Sequence, residues 1–270
     1  MNSGLIKQLV AVASARAERP WSSGRVDLGH ARALVPGLVD DPWGFFAARG
    51  ARLRVLGGSL PGEERVFCAP ELGARWLERG HTLYWMTAEV GVPELRDALE
   101  GLGEEWGFTG GHAGIFVSPP RAVSTWHFDV LHNLNVQLQG CKRWRMGEHP
   151  RMNHPAGNYG IGEHVPPSLE YCREQLEALE GIEADAEIEI SEGEVVHVPA
   201  GCWHEVHSAG APSISLSLGM RSPSRKDVLV EVLRSVLDRS EFWREPTDRS
   251  PEALCEALRE WLTPRPNPET

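Results

Sequence analysis

The sequence predicts a mainly β fold with helical additions at both ends of the chain. From Gly114 to Met220, short runs rich in β-branched and aromatic residues alternate with glycine and proline, as in strands joined by turns. Before residue 110 the pattern instead indicates short helices and a few strands. After Met220 apolar residues recur at helical spacing. These observations predict a β core flanked by helices.

The individual elements follow from local patterns. Helices are predicted at the N-terminus and at residues 42–49, 70–79 and 92–102. Strands are predicted at residues 115–118, 124–139, 142–146, 187–190, 194–199 and 213–220. Two further helices are predicted near the C-terminus, through the apolar stripe at 228–237 and from Ser250-Pro251, a cap residue followed by proline.

We divide the chain into three segments. Residues 1–112 form a helical and mixed segment that packs on the core, residues 113–220 form the core, and residues 221–270 form a helical segment. The core contains a polar insertion at 147–185 that ends in a helical stretch, and such long loops often act as lids or binding elements. For the C-terminal helices, packing on the core and formation of a homodimer are both open.

Composition limits the partners. The chain has 270 residues and a net charge of -11, which argues against nucleic acid or an anionic membrane as the main partner. An acidic surface can attract a basic peptide or protein, although such a charge also serves solubility. No apolar run approaches the roughly 20 residues of a membrane span.

The cysteines indicate a reducing compartment. They are odd in number and widely spaced, and no two of them form a Cys-Xaa-Xaa-Cys pair, so neither a disulfide framework nor a structural zinc site is indicated. We therefore expect a cytoplasmic protein. The five are Cys68, Cys141, Cys172, Cys202 and Cys255.

A candidate metal site is formed by His127, Asp129 and His204. On a strand, residues i and i+2 point to the same face, so His127 and Asp129 can share a metal with a ligand that comes 77 positions later. Two imidazoles and one carboxylate with open positions are the ligand set of non-haem Fe(II) oxygenases. His-Xaa-Asp alone is a weak motif, and His207 and His197 compete for the place of the distal ligand.

The predicted ligand strand has one polar and one apolar face. Alternation puts Asn133, Asn135 and Gln137 on the face of Asp129, and the reverse face is apolar. Amide side chains are suited to orient a bound carboxylate or a substrate amide, which favours a lined pocket. The alternative is an ordinary strand whose polar face is in water.

A basic residue follows on the next predicted strand. After a turn at Gln139-Gly140-Cys141, alternation groups Lys142 with Trp144 and sends the neighbouring arginines to the other side. A lysine that faces the interior needs an anionic partner, whereas the alternative is a surface lysine. The strand at 213–220 is also polar on one face, which suggests a shared cavity; that face carries Ser213, Ser215, Ser217 and Gly219.

These pieces together resemble the JmjC-type cupin family of Fe(II)- and 2-oxoglutarate-dependent oxygenases. The similarity covers residues 113–220, somewhat under half of the chain. The matching motifs occur in the expected order and are specific only jointly. They are His127-Phe128-Asp129, the run from Gln139 to Trp144, and the run from Gly193 to His204.

The resemblance implies a double-stranded β-helix, a jelly-roll barrel with an N-terminal helical layer. It implies that His127, Asp129 and His204 hold Fe(II), that Lys142 binds the distal carboxylate of 2-oxoglutarate, and that Asn133 assists. Some members have a second asparagine where this chain has Gly219, so Ser124, Ser215 and Ser217 become candidates for the missing hydrogen bonds. Candidates for the substrate pocket are Asn135, Gln137, Trp126, Trp144 and Trp203, with core packing as the alternative for the tryptophans.

The activity implied by the resemblance is hydroxylation of an unactivated C–H bond with O2 and 2-oxoglutarate, which leaves as succinate and CO2. The carboxylate of Asp129 favours this over halogenation, which needs a vacant metal position. A peptide or protein side chain is the first substrate hypothesis, and a free amino acid or a natural-product intermediate is the second. A non-catalytic cupin module that binds a metal or small molecule is a third, against which Asp129 and Lys142 argue.

Among the family, the segment from Gly114 to Met146 is most similar to bacterial ribosomal-protein hydroxylases. Those proteins carry a dimerisation segment and a winged-helix module after the barrel. Only 50 residues follow Met220, so we expect no winged-helix module in this chain.

Overall fold

The computed structural model describes residues 3–15, 20–57, 66–147 and 150–262. The strands within these ranges are β1 (Ser22–Arg25), β2 (Leu53–Leu56), β3 (Phe67–Cys68), β4 (Thr82–Trp85), β5 (Gly110–Ser118), β6 (Val123–Phe128), β7 (His132–Gly147), β8 (Tyr159–Gly160), β9 (Ala186–Ile190), β10 (Glu194–Val198) and β11 (Trp203–Arg221). The helices are α1 (Ser3–Ser14), α2 (Leu28–Arg32), α3 (Pro42–Ala47), α4 (Gly73–Glu78), α5 (Pro93–Trp106), α6 (Arg173–Glu177), α7 (Arg225–Leu237), α8 (Glu241–Arg244) and α9 (Pro251–Leu262). Short 3-10 helices cover Pro70–Leu72, Ala88–Val90 and Pro167–Cys172.

Two long antiparallel strands organise the sheet. The strand order is β1-β10-β7-β11-β5-β4-β2-β3, and β6, β8 and β9 lie off this path. The first half of β7 pairs with β10 and its second half with β9, while the first half of β11 pairs with β6 and its second half with β5. Because β7 and β11 pass from one set of neighbours to the other, the strands form a jelly roll. The predicted mainly β fold with helical additions is confirmed.

The predicted boundaries around the ligand strand are wrong in two places. The predicted strand at 124–139 is interrupted after Phe128, and β7 then continues past Gly140 where a turn was predicted. Gly140 has a φ of 72° and its N–H donates to Glu192 Oε1 at 3.1 Å, so the chain bends without reversing. The β7–β11 pairing shifts register opposite this bend, between Ala209 and Ile214.

The main core lies outside the barrel, between the sheet and the N-terminal helices. The apolar side chains of β7 that alternation predicted, Leu134, Val136 and Leu138, are buried there. Leu9 of α1 and Leu102 of α5 are fully buried in the same cluster. Each such side chain contributes about 1.5–3 kcal/mol by leaving water. The opposite face of β7, which carries the predicted polar residues, is thereby directed into the barrel.

The chain forms two compact units, residues 1–222 and residues 223–270. In the second, α7 begins with a capping box between Ser224 and Asp227, and none of its residues is buried. The three-segment division and the homodimer through the C-terminal helices stay predictions. The described helices include none that is long and apolar enough to cross a membrane.

Candidate metal centre

The fold brings His127, Asp129 and His204 together. His127 near the end of β6 and His204 near the start of β11 face each other in antiparallel register. Asp129 lies just after β6, in the interruption before β7. One ligand atom from each of the three lies within 4.8 Å of the other two, and His204 Nε2 is 3.8 Å from Asp129 Oδ2. This is a group that can hold a divalent metal ion.

Backbone carbonyls fix the tautomers of both histidines. His127 Nδ1 lies 2.6 Å from the Thr125 oxygen and His204 Nδ1 lies 3.0 Å from the Cys202 oxygen. Because a carbonyl only accepts, each Nδ1 carries the hydrogen and each Nε2 keeps its lone pair. The pKa of His204 is lowered to about 4, mainly by burial and next by the charge of His127. The negative charge of Asp129 acts in the opposite direction. His204 is therefore a neutral ligand at neutral pH.

The position of Asp129 is fixed by two hydrogen bonds. Asn133 Nδ2 donates to Asp129 Oδ2 at 2.7 Å, and the N–H of Gly201 donates to the Asp129 carbonyl at 2.9 Å. Gly201 has a φ of 75°, and the Met152 carbonyl oxygen occupies the space that a Cβ would need. The bend before β11 therefore holds the carboxylate ligand as well as presenting His204.

The two competing histidines lie away from this group. His207 Nε2 is 2.9 Å from Glu205 Oε2, an oxygen that also pairs with Arg145. His197 lies outside the barrel, where its ring contacts His132. Neither is in the group of possible ligands found among the described residues.

Lys142 is a buried ammonium group inside the barrel. It is 6% exposed, its Nζ donates to Ser215 Oγ at 2.8 Å, and it lies 5.3 Å from the centre of the Phe116 ring. Burial lowers its pKa to about 8. In the described part of the chain, no carboxylate lies within ion-pair distance of it. A buried cation without an anion is costly, so this site suits an anionic ligand.

Ser217 lies on the interior face of β11, and Ser124 lies in β6, three residues before His127. Ser217 is opposite Asn135 on one side and Gly114 on the other, and Ser217 is only partly buried. Ser124 is opposite Val206, two residues from His204 along β11, and is exposed.

Gln137 lies deeper on the same face. It is fully buried, and its Nε2 donates to the Gln139 carbonyl at 2.7 Å. Its Oε1 is buried and has no hydrogen-bond partner among the described residues.

The three predicted tryptophans differ in their surroundings. Trp144 stacks on the His204 ring, with ring centres 5.7 Å apart and planes 25° apart. Trp203 is fully buried in another cluster, and its indole N–H donates to the Pro150 carbonyl at 2.8 Å. Trp126 packs against that second cluster. The roles of these residues and of Asn135 and Gln137 in a substrate pocket stay predictions.

Sequence reasoning missed Tyr84. Its ring stacks on Phe116 with centres 4.1 Å apart, and its hydroxyl lies against Gly114. Burial, followed by the charges of Asp129 and Glu89, raises the pKa of Tyr84 to about 12, so it remains a neutral donor. The signal was weak, because β4 is only four residues long and faces the barrel only through its pairing with β5.

The structure explains the departure at Gly219. A Cβ there would lie 2.8 Å from Leu131 Cδ1 and 2.9 Å from Asn133 Oδ1. A second asparagine would therefore require Leu131 or the Asn133 amide that holds Asp129 to move.

Residues 108–228 match the family model of the JmjC domain, so a JmjC domain covers this part of the chain. The resemblance found in the sequence is confirmed. The uncharacterised protein YxbC of Bacillus subtilis (strain 168) is 25% identical over 188 residues, which are 67% of this chain and 56% of YxbC. The chain thus spans little more than half the length of this relative.

Solved structures of Escherichia coli YcfD share the fold. One has a TM-score of 0.58 at 18% identity, and the match covers 95% of this chain and 67% of YcfD. Another is a structure of YcfD, described as a ribosomal oxygenase, in complex with cobalt and 2-oxoglutarate. It has a TM-score of 0.56 at 18% identity, and the match covers 89% of this chain and 61% of YcfD. A third, with cobalt and succinic acid, has a TM-score of 0.59 at 15% identity and covers 96% and 67%.

Proposed function

We propose that this protein is a cytoplasmic Fe(II)- and 2-oxoglutarate-dependent oxygenase that hydroxylates a C–H bond of a peptide or protein side chain. The observation that carries the proposal is the combination of a two-histidine, one-carboxylate group with a buried ammonium that has no carboxylate partner among the described residues, inside the same barrel. The first suits a divalent metal with open positions, and the second suits a dicarboxylate that binds the metal at its other end.

The chain's own residues have distinct roles in this proposal. The Nε2 atoms of His127 and His204 and the carboxylate of Asp129 would hold Fe(II), and Asn133 keeps that carboxylate in place. With three protein ligands, such an ion would keep positions open for other ligands. When bound, iron and O2 would supply the oxidation that converts 2-oxoglutarate to succinate and CO2 and leaves one oxygen atom on the substrate.

The other end of the co-substrate would be bound by donors. Protonated Lys142 offers two further N–H groups beyond its bond to Ser215. The Tyr84 hydroxyl is a neutral donor near the same interior face, because Phe116 stacks between Tyr84 and Lys142. Ser217, which is only partly buried, lies where the interior meets solvent. A dicarboxylate held by these donors would extend from Lys142 toward the metal ligands.

Two observations support a peptide or protein substrate. The structurally similar YcfD is described as a ribosomal oxygenase, and ribosomes contain proteins. The net charge of -11 also favours a basic polypeptide as partner. All five cysteines are free thiols, which supports the proposed cytoplasmic location.

An anaerobic titration tests the activity. Addition of Fe(II) and then 2-oxoglutarate should produce the weak visible charge-transfer band of a chelated keto acid, and admission of air should then release succinate. The His127→Ala variant should give neither signal. No band and no succinate from the unaltered chain would contradict the proposal and favour a non-catalytic binding module.

A second experiment addresses the substrate. A cell extract is incubated with the active protein or with His127→Ala, and peptides are compared by mass spectrometry. We expect a peptide that gains the mass of one oxygen atom only with the active protein. A gain confined to free amino acids or other small metabolites would contradict the proposed substrate class.

A further inference from the structure

The indole nitrogen of Trp144 is a buried donor without an acceptor. The side chain is 5% exposed, and Nε1 has no hydrogen-bond partner in the described residues. The cluster that surrounds it is largely aliphatic and includes Met146, Val196 and Val198. Leaving a buried donor unpaired is costly, so a donor that finds no acceptor among its neighbours in the chain is suited to bind an acceptor on a ligand.

Trp144 lies between the two ends of the candidate site. It is two residues from Lys142 on β7, so both side chains point to the same face. Its ring is stacked on His204, one of the three candidate metal ligands. A molecule that reaches from Lys142 to the metal position must therefore pass beside this indole.

We propose that the Trp144 indole N–H donates a hydrogen bond to an oxygen of the dicarboxylate held between Lys142 and the metal ligands. This inference rests on the proposed function and adds a binding residue to it. Trp144 would supply a donor that the chain lacks at Gly219, which has no side chain to donate one.

The chemistry of the surrounding groups favours an anion over a neutral ligand. The indole can only donate, the Lys142 ammonium can only donate, and the neutral Tyr84 phenol has a hydrogen to donate. A carboxylate offers several lone pairs and a negative charge to such a set. A cation or an apolar group would leave these donors unpaired.

Nuclear magnetic resonance of the indole groups tests the proposal directly. The full chain is labelled with 15N-tryptophan and loaded with Zn(II), a diamagnetic ion for the same ligands, and 2-oxoglutarate is added. The signal of Trp144, identified by its loss in Trp144→Phe, should shift downfield on addition. The signal of Trp203 should stay in place, because its N–H is already bound to the Pro150 carbonyl.

Calorimetry with two variants gives an independent measurement. Trp144→Phe keeps the ring but loses the N–H, and the Kd for 2-oxoglutarate should rise about tenfold or more while the Kd for Zn(II) stays unchanged. Trp106→Phe is the matched control, since Trp106 packs against the His197 ring outside the barrel. Both of its constants should equal those of the unaltered chain.

The outcomes separate this inference from the function on which it rests. If 2-oxoglutarate binds while the Trp144 signal does not move, or if Trp144→Phe keeps full affinity, the inference is wrong and the proposed function stands. If the Zn(II)-loaded chain binds no 2-oxoglutarate at all, both are wrong. If Trp144→Phe does not fold, the Trp144 indole signal can be identified by resonance assignment of the unaltered chain. The shift of that signal on addition of 2-oxoglutarate then decides the question.

Discussion

The candidate metal ligands illustrate how backbone groups prepare side chains for binding. The carbonyls of Thr125 and Cys202 each accept from the Nδ1 of a histidine two residues away, and so present the lone pair of the other nitrogen. Burial keeps His204 uncharged, so metal binding there does not compete with a proton near neutral pH. These are properties of single residues, and they can be tested by single substitutions.

We predict that His204→Ala abolishes metal binding and that His207→Ala does not. His204 Nε2 faces Asp129, whereas His207 pairs with Glu205 outside the group of ligands. Calorimetric titration with Zn(II) measures both variants. Retained binding in His204→Ala together with loss in His207→Ala would show that the distal ligand is wrongly assigned.

We predict that the affinity for 2-oxoglutarate falls as the pH rises above about 8. Burial lowers the pKa of Lys142 to about 8, so above that pH the free protein loses the charge that a carboxylate needs. A bound anion raises this pKa again, and the affinity therefore falls by up to about tenfold per pH unit until the pKa of the complex is reached.

The matched control for this pH effect is Lys142→Arg, which stays charged at every accessible pH. Its affinity for 2-oxoglutarate should be flat between pH 7 and pH 9 by calorimetry, within about a factor of two. An unaltered chain with an equally flat profile would show that the charge of Lys142 does not contribute to binding.

At the scale of elements, sequence patterns predicted faces better than ends. Alternation placed Asn133 and Asn135 in the barrel and Leu134 and Val136 in the core, because one strand imposes that order locally. The sequence Gln-Gly-Cys around Gly140 resembles a turn, yet long-range pairing with β11 keeps the strand continuous. That pairing is not visible in a window of a few residues.

In the site too, local sequence patterns predicted the residues, and long-range pairing was not predicted. His127 and Asp129 are close in sequence, and His204 belongs to a recognisable local motif, so all three were predictable. Tyr84 comes from a short strand whose place beside the site depends on the pairing of β4 with β5, in which Tyr84 lies opposite Phe116, 32 positions later. Its role depends on tertiary contacts alone.

We predict that Gly201→Ala strongly destabilises the protein and weakens metal binding. A side chain there would need a positive φ and the space held by the Met152 carbonyl, and it would displace the hydrogen bond to Asp129. The free energy of unfolding should fall by about 3 kcal/mol or more, measured by urea denaturation.

The control variant Gly37→Ala separates the effect of backbone strain from that of steric collision with Met152. Gly37 has a φ of 83°, but open space surrounds its missing side chain. This variant should lose only about 1 kcal/mol of stability and keep its affinity for Zn(II). Equal losses in the two variants would show that the contact with Met152 does not matter.

At the scale of the molecule, all candidate site residues belong to the first compact unit. The last buried residue of the described chain is Met220, and the second unit begins at Pro223. In that unit several large apolar side chains are exposed, including Leu229 at 66% and Val232 at 54%. Predictions about binding therefore concern the first unit, and predictions about self-association concern the second.

We predict that a chain ended after Ser222 folds and binds Zn(II) and 2-oxoglutarate with unchanged affinity, because it keeps the whole core and every candidate site residue. Light scattering of both chains tests the homodimer hypothesis at the same time. A dimeric full-length protein and a monomeric shortened one would support the hypothesis. The same number of subunits in both proteins would contradict it. Loss of folding in the shortened chain would show that the first unit depends on the second.

The continuity of β7 and β11 has a further consequence for chemical selectivity. Asn133 and Lys142 are both on β7, and His204 and Ser215 are both on β11, so the paired strands, including the bend at Gly140, set the separation between the metal position and the ammonium group. Hydrogen-bonded strands stretch very little. A keto-diacid with one methylene fewer or one more than 2-oxoglutarate would therefore lose contact at one end, and the protein should discriminate among such acids by molecular length as well as by charge.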